Sequence, residues 1–223
     1  MKVVVGMPVK ERAWCLRDWF AALESQGVEH TVLALLTPSE DETEQILKDH
    51  GAEIMYDLTG GRKIRDIEGH VWGKMETFAY MADMRNELVQ WAKDLEADYF
   101  FSLDSDIILE EGTLSKMLKF AETHPGVVSP AVNMTQGGSL AWNTMDWVDR
   151  RFPNLPDRKI HMPKTGQRDV VMAAMLLDRS AMECKWAAHK AGEDIGFAID
   201  AWHKQVPLWW IAELRCTHLM RRF

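Results

Sequence analysis

Cysteine is scarce in this sequence and poorly arranged for bridging. Cys15, Cys184 and Cys216 are scattered, odd in number and form no C-x-x-C pair. That pattern argues against a disulfide framework and suits reduced thiols in a cytoplasmic protein. Long apolar runs are missing as well. Val170 to Leu177 and Val206 to Ala212 fall well short of the roughly 20 residues that cross a bilayer. The opening MKVVVGMPVKER holds an apolar run too short for a signal peptide. The expectation is therefore a soluble, cytoplasmic protein without stable membrane insertion. An excess of basic charge is also lacking. The formal net charge of -8 argues against a broad grip on nucleic acid, while leaving room for a local basic patch. No repeat, low-complexity segment or linker interrupts the chain, so residues 1–223 are expected to form one domain.

The chain does have the material for a core. It has 223 residues, 47% of them hydrophobic and 27% charged, which is an ordinary globular balance. Its organising stretch is DYFFSLDSDIIL, Asp98 to Leu109. Tyr99, Phe100, Phe101 and Leu103 suit a strand buried on both faces of a sheet. That strand delivers Asp104, Ser105 and Asp106 at its carboxyl end. Two carboxylates spaced i, i+2 at a sheet rim can share a hard cation, because oxygen ligands suit magnesium, manganese and calcium. A strand-end turn with two capping acids is the alternative use of the same residues.

Taken in order, the periodicity predicts a strand at Val3–Val5 ending in Gly6-Met7-Pro8, then a helix through Leu16, Trp19, Phe20 and Leu23. A strand at Thr31–Leu36, a helix opened by a Ser39–Glu42 capping box and a strand at Ala52–Tyr56 follow. This alternation implies right-handed crossovers and a parallel sheet. Thr59 to Gly73 is glycine-rich and locally basic. It reads as a surface connection or as a loop that brings Arg62, Lys63, Arg65 or Lys74 to a phosphate. A long helix from Met75 leads into the acidic strand. Beyond that strand the pattern predicts a helix at Thr113–Thr123, strands at Val127–Val132 and Val170–Leu177, and a helix near Ala181–Lys190. A further helix opens at Gly192-Glu193-Asp194, and a last strand at Pro207–Ile211 leads to His218. The segment 133–166, with Gly137-Gly138, Trp142 and Trp147, is long enough to be functional.

Val4-Val5-Gly6-Met7-Pro8, Arg85-Asn86, Asp104-Ser105-Asp106, Gly192-Glu193-Asp194 and His218 occur in an order that resembles the GT-A class of nucleotide-sugar-dependent glycosyltransferases, most closely the family-2 type. The resemblance covers nearly the whole length. It implies an α/β fold: a Rossmann-like, mostly parallel central sheet with helices on both faces. Residues 1–110 would form the donor half and 111–223 the acceptor half. It further implies that Pro8, Val9, Lys10, Glu11, Arg85, Asp104 and Ser105 hold a UDP- or GDP-sugar. Asp104, Asp106 and His218 would then hold Mn2+ or Mg2+, and Asp194 would act as base with Glu193 on the acceptor.

Such chemistry calls for these residue types. A departing diphosphate needs its charge neutralised, which a divalent cation does as a Lewis acid. A histidine ligand favours manganese over magnesium. An acceptor hydroxyl, weakly nucleophilic at neutral pH, gains from a carboxylate base. Local chemistry alone leaves other uses open. Glu193 and Asp194 suit a helix amino terminus, whose dipole favours acidic residues, and His218 could be a structural hydrogen-bonder. The family's acidic residues after the second strand are replaced here by Leu35-Leu36-Thr37-Pro38-Ser39, which leaves the base unassigned, with Asp57 a candidate. The acceptor hydroxyl could belong to a small molecule, a glycan, a protein or a modified nucleobase. Trp142, Trp147, Arg150 and Arg151 are candidates to stack on it. The alternatives are a sugar-phosphate nucleotidyltransferase and a non-catalytic nucleotide-sugar-binding module. The first is disfavoured because Met7-Pro8-Val9-Lys10-Glu11-Arg12 lacks the glycine-rich signature such enzymes carry after their first strand.

Overall fold

The structure is a computed structural model that describes residues 1–57, 75–134, 142–149, 151, 153, 156–157 and 164–219. The candidate phosphate loop (Arg62, Lys63, Arg65, Lys74), Gly137-Gly138 and Arg150 lie outside the described residues.

The amino-terminal half follows the alternation expected of it. Strand β1 (Val3–Val9) pairs in parallel with β2 (His30–Leu36) and with β4 (Tyr99–Leu103), and β2 pairs in parallel with β3 (Glu53–Tyr56). Helices α1 (Ala13–Glu24), α2 (Thr43–Asp49) and α3 (Met75–Asp94) fill the connections between these strands. The period-2 alternation of β1 divides the core into two layers. Val3, Val5, Met7 and Val9 join Leu16, Trp19 and Phe20 of α1 on one face. Val4 turns to the other face, with Leu88 of α3 and Phe100. A strand packed on both faces has no room for polar alternation, which is why it reads as a continuous apolar run.

The other half makes the sheet mixed while keeping its parallel core. Strand β5 (Ile107–Leu109) and helix α4 (Thr113–Ala121) lead to β6 (Val127–Val132). Short strands β7 (Thr144–Trp147), β8 (Pro156–Asp157), β9 (Gly166–Arg168) and β10 (Val170–Val171) precede β11 (Ala174–Asp178). Helix α5 (Glu193–His203) and β12 (Leu208–His218) close the set. The main sheet runs β3-β2-β1-β4-β11-β6-β12-β5, with β9 also on β12; β7, β8 and β10 form a smaller sheet. β11 is antiparallel to both β4 and β6, whereas β12 runs parallel to β6. The described residues include no helix long and apolar enough to cross a membrane.

Four expectations need correction. The apolar run Val170–Leu177 is two strands, because Ala173 takes a left-handed conformation (φ 67°) that breaks it between the two sheets. The helix expected over Ala181–Lys190 is a single 3-10 turn, Ala181–Glu183, after which Cys184 is extended (ψ 151°). Its apolar residues do not form a helical stripe: Trp186 inserts singly against Phe197 of α5, ring centroids 4.3 Å apart. The helix after Ser39 opens later than the capping box implied. Asp41 Oδ1 accepts from the Thr43 amide at 3.0 Å, and Ser39 Oγ instead accepts from Glu11 N at 2.9 Å. The last strand runs beyond Ile211 to His218, with a register shift between Ile211 and Arg215.

Candidate functional site

The acidic turn is fixed from four sides through its backbone. The Trp19 indole N–H of α1 donates to Asp104 O at 3.1 Å, and the Cys15 thiol donates to Ser105 O at 3.4 Å. Asp104 N donates to Ala173 O at 3.0 Å, and Leu219 N donates to Asp106 O at 2.8 Å. Because β12 is antiparallel to β5, with His218 opposite Ile107, it delivers His218 beside Asp106. Their closest atoms, Nε2 and Oδ1, are 3.6 Å apart. The neighbouring Asp106 carboxylate raises the His218 pKa, against the lowering effect of burial.

A cavity of about 380 Å³ lies over this turn at the carboxyl ends of β1 and β4. Pro8, Val9, Lys10, Arg85, Asp104, Ser105, Asp106 and His218 all contribute to its wall. Glu11, expected among them, is exposed and lies off the wall. Thr37, Tyr80, Met81 and Arg12 are wall residues that the sequence motifs did not single out as ligand-binding. Tyr80 sits 2.9 Å from Thr37 Oγ1 and also donates to Asp57, so the candidate acid after β3 is tied to the cavity's far end. A tyrosine on a long helix carries no local signal for such a role. Only the packing of α3 across the strand ends supplies it.

Behind the wall lies a buried charge network. Arg85, 4% exposed on α3, donates to Asp104 Oδ1 at 2.8 Å, to Ser102 Oγ at 3.1 Å and to Glu193 Oε1 at 3.3 Å. Burial opposes its charge, but Asp104, Asp194 and Glu193 outweigh that and raise its pKa. Asp194, next to Glu193 at the start of α5, accepts the Trp186 indole N–H at 3.0 Å. Burial raises the Asp194 carboxyl to about 7; Arg85 pulls it down, while Glu193 and Asp104 push it up. Asn86, beside Arg85, clamps the Trp186 backbone from both sides, Nδ2 to the carbonyl at 2.9 Å and Oδ1 from the amide at 3.0 Å. The "RN" and "ED" pairs therefore meet as one unit, at a helix start whose N-cap, Gly192, has no side chain to cap it. Glu193 and Asp194 stand behind Arg85 and do not line the cavity.

Two glycines make this approach possible. Gly192 has φ 124°, outside the range an L side chain adopts readily, and Gly196 lets α5 touch the Trp186 segment. A Cβ on Gly196 would stand 2.0 Å from Ala187 O. Gly196→Ala is expected to destabilise the protein by about 1–3 kcal/mol through overpacking. Thermal unfolding measures this, and an unchanged midpoint would contradict the contact.

The residues fit a divalent cation in part. Asp106 and His218 present one oxygen and one nitrogen at a separation compatible with shared ligation, and His218 Nδ1 is buried without a hydrogen-bond partner among the described residues. Asp104, expected as a third ligand, gives Oδ1 to Arg85 at 2.8 Å while its carboxylate lines the cavity. Among the described residues no three His, Cys, Asp or Glu side chains converge on one metal position. The aromatic candidates divide similarly. Trp147 is buried in the core, Trp142 packs against Trp210, and Arg151 pairs with Asp149.

No protein-family model matches the chain, and none of the curated proteins is similar to it in sequence. Solved structures are similar in fold. TarS of S. aureus superposes with a TM-score of 0.64 at 13% identity, over 99% of this chain and 37% of TarS. Glucosyl-3-phosphoglycerate synthase of Mycobacterium tuberculosis, in complex with Mn2+, UDP-glucose and phosphoglyceric acid, gives 0.59 at 14% identity, over 100% of this chain and 73% of that one. The mannosyltransferase PcManGT of Pyrobaculum calidifontis, in complex with GDP-mannose and Mn2+, gives 0.58 at 11% identity, over 99% and 57%. The chain thus spans little more than a third of TarS and over half of PcManGT. Its fold is the GT-A fold.

Proposed function

We propose that this GT-A chain is a glycosyltransferase that moves a sugar from a UDP- or GDP-sugar to a hydroxyl acceptor with the help of Mn2+ or Mg2+. The observation that carries the proposal is the cavity over Asp106 and His218, with the Arg85 network joining it to Asp194. A ligand cavity at the carboxyl ends of parallel strands is where open α/β sheets bind nucleotides. Residues 1–110 serve as the donor half and 111–223 as the acceptor half of one catalytic domain.

Asp106 and His218 hold the cation, which when bound would neutralise charge on the departing diphosphate. The Pro8–Lys10 strand end and Ser105 hold the nucleotide. Thr37 and Tyr80 face its outer part. Asp104 has a different duty: held by Arg85, it contributes a fixed carboxylate to the wall beside the donor. Glu193 balances Arg85 from the acceptor side. Asp194, part-exposed and off the donor cavity, takes the proton of an acceptor bound on its own side of Arg85. Its Oδ1 is steadied by the Trp186 N–H, so the carboxylate keeps one orientation, and its raised pKa makes it a stronger base than a solvated aspartate.

This assignment fixes a pH dependence. The base works ionised, so turnover should rise with pH and level off above about 7, where Asp194 is deprotonated. Stability has the opposite sign. A carboxyl raised by burial binds its proton more tightly folded than unfolded, so its contribution declines as pH rises from about 4 towards 7. Asp194→Asn should lower turnover by about 10²–10⁴-fold and remove the acid limb of the profile. A variant that keeps both the rate and the limb would exclude Asp194 as base. The general reading is tested by a UDP- and GDP-sugar panel with Mn2+, scored by thermal shift and product formation. Failure to bind or turn over any nucleotide sugar would refute it.

A further inference from the structure

The cations around the cavity are unequally committed. Arg85 spends its donors on Asp104, Ser102 and Glu193. Arg12, also in the cavity wall, does not. Its Nη1 donates to Lys10 O at 3.3 Å, while its Nη2 stops 3.8 Å from Asp106 Oδ2, beyond hydrogen-bond reach. Its Nε is buried and has no hydrogen-bond partner among the described residues. The side chain is 34% exposed at the cavity wall, and Nη2 is the guanidinium nitrogen left to meet a ligand there.

The backbone of Arg12, by contrast, is held firmly. Its amide donates to Thr43 Oγ1 at 2.7 Å, Thr43 is itself tied to Asp41 Oδ1, and its carbonyl accepts from Cys15 N and Leu16 N at 3.0 Å each. Arg12 also occupies the N-cap position of α1, where it makes no side-chain cap. Helices favour Ser, Thr, Asp or Asn there, and a cation is repelled by the positive end of the dipole. Nothing local favours an arginine at this place.

We propose that Arg12 is a binding residue for the donor's diphosphate, its Nη2 taking a phosphate oxygen beside Asp106. The inference rests on the nucleotide-sugar reading given above and adds a ligand group to it. A guanidinium stays charged and aims its N–H donors in a fixed plane, which a lysine cannot reproduce. The ligand supplies the acceptor that Nη2 lacks and the negative charge that the start of α1 favours. The diphosphate is then held between Arg12, with Lys10 beside it, and the cation-binding pair Asp106 and His218. Arg12 also offers charge neutralisation that does not depend on the cation.

The test is titration calorimetry of UDP and GDP, in Mn2+ and again in EDTA, with the wild-type chain, Arg12→Ala and Arg12→Lys. The midpoint of unliganded unfolding is measured for each. Arg12→Ala should weaken the preferred nucleoside diphosphate by about 10–100-fold in either condition, and Arg12→Lys by less, as loss of a charged hydrogen bond implies. The unliganded midpoint should change little, because the alanine removes one long hydrogen bond, Nη1 to Lys10 O at 3.3 Å, and a part-exposed 3.8 Å approach to Asp106. Arg12→Ala binding as well as wild type would overturn the inference alone. So would an affinity loss accompanied by a lower midpoint that Arg12→Lys fully restores along with the affinity. A wild-type chain that binds neither diphosphate would overturn the nucleotide-sugar reading itself, and this inference with it.

Discussion

Asp106→Ala should reduce sugar transfer by at least about 10³-fold while leaving the fold intact. The size follows from losing a cation ligand at the site of leaving-group charge, where such stabilisation reaches several kcal/mol and each 1.4 kcal/mol is about tenfold in rate. Folding survives because the turn is held by backbone groups: Asp106 O receives Leu219 N, and Trp19 and Cys15 grip the two preceding carbonyls. The Asp106 side chain itself makes only the looser contacts to His218 and Arg12, at 3.6 and 3.8 Å. Removing the carboxylate also removes the main cause of the raised His218 pKa, so His218 should titrate lower in the variant by NMR. Donor hydrolysis and transfer in Mn2+, with a thermal midpoint as the folding control, measure the effect. Metal-stimulated turnover persisting near the wild-type rate would remove Asp106 from the assignment.

Arg85→Ala is expected to have the largest effect on stability. Arg85 is buried between Asp104 and Glu193, with Asp194 close enough to raise its pKa. Deleting one partner of a buried ion network strands the others, at a cost of about 3–5 kcal/mol. For a chain of this size that corresponds to a midpoint lower by roughly 6–20 °C. The deficit should depend on pH. With the guanidinium gone, Asp104 and Asp194 titrate even higher in the folded state, so the loss is greatest above about 7 and shrinks as acid protonates them. Arg85→Lys keeps the charge but cannot reach Asp104, Ser102 and Glu193 at once, and should recover only part of the loss. Equal midpoints for Arg85→Ala and wild type at neutral pH would show that the network does not support the fold.

Both effects start from residues visible in the sequence, but for different reasons. Asp106 was legible because a carboxylate at the end of a buried aromatic strand has little use in a core. Arg85 stood out only as half of an "RN" pair inside a helix. Its burial, and its bond to Glu193 more than 100 residues away, are long-range facts. Trp186 and Arg12 gave less notice still. Trp186 lay in a segment whose apolar residues looked helical, and the competing force was one large ring finding its pocket on α5. Arg12 lay beside the expected ligands Lys10 and Glu11, and the left-handed turn at Glu11 (φ 50°) carries the chain from the cavity wall to the α2 start. Glu11 thus faces solvent while Arg12 returns to the wall.

The sequence by itself determined the alternation of strands and helices in the first half, the two-faced core and the position of the acidic turn. Those features follow from hydrophobic period and from short-range turn chemistry, which act over a few residues and can be read locally. It also carried His218 and the Glu193-Asp194 pair as candidates, without their partners. Only the tertiary structure decided that Asp104 serves Arg85, that His218 reaches Asp106 through the antiparallel β12–β5 pairing, and that Asp194 is steadied by Trp186. Such pairings depend on strand order and helix packing, which bring together side chains that no local pattern relates.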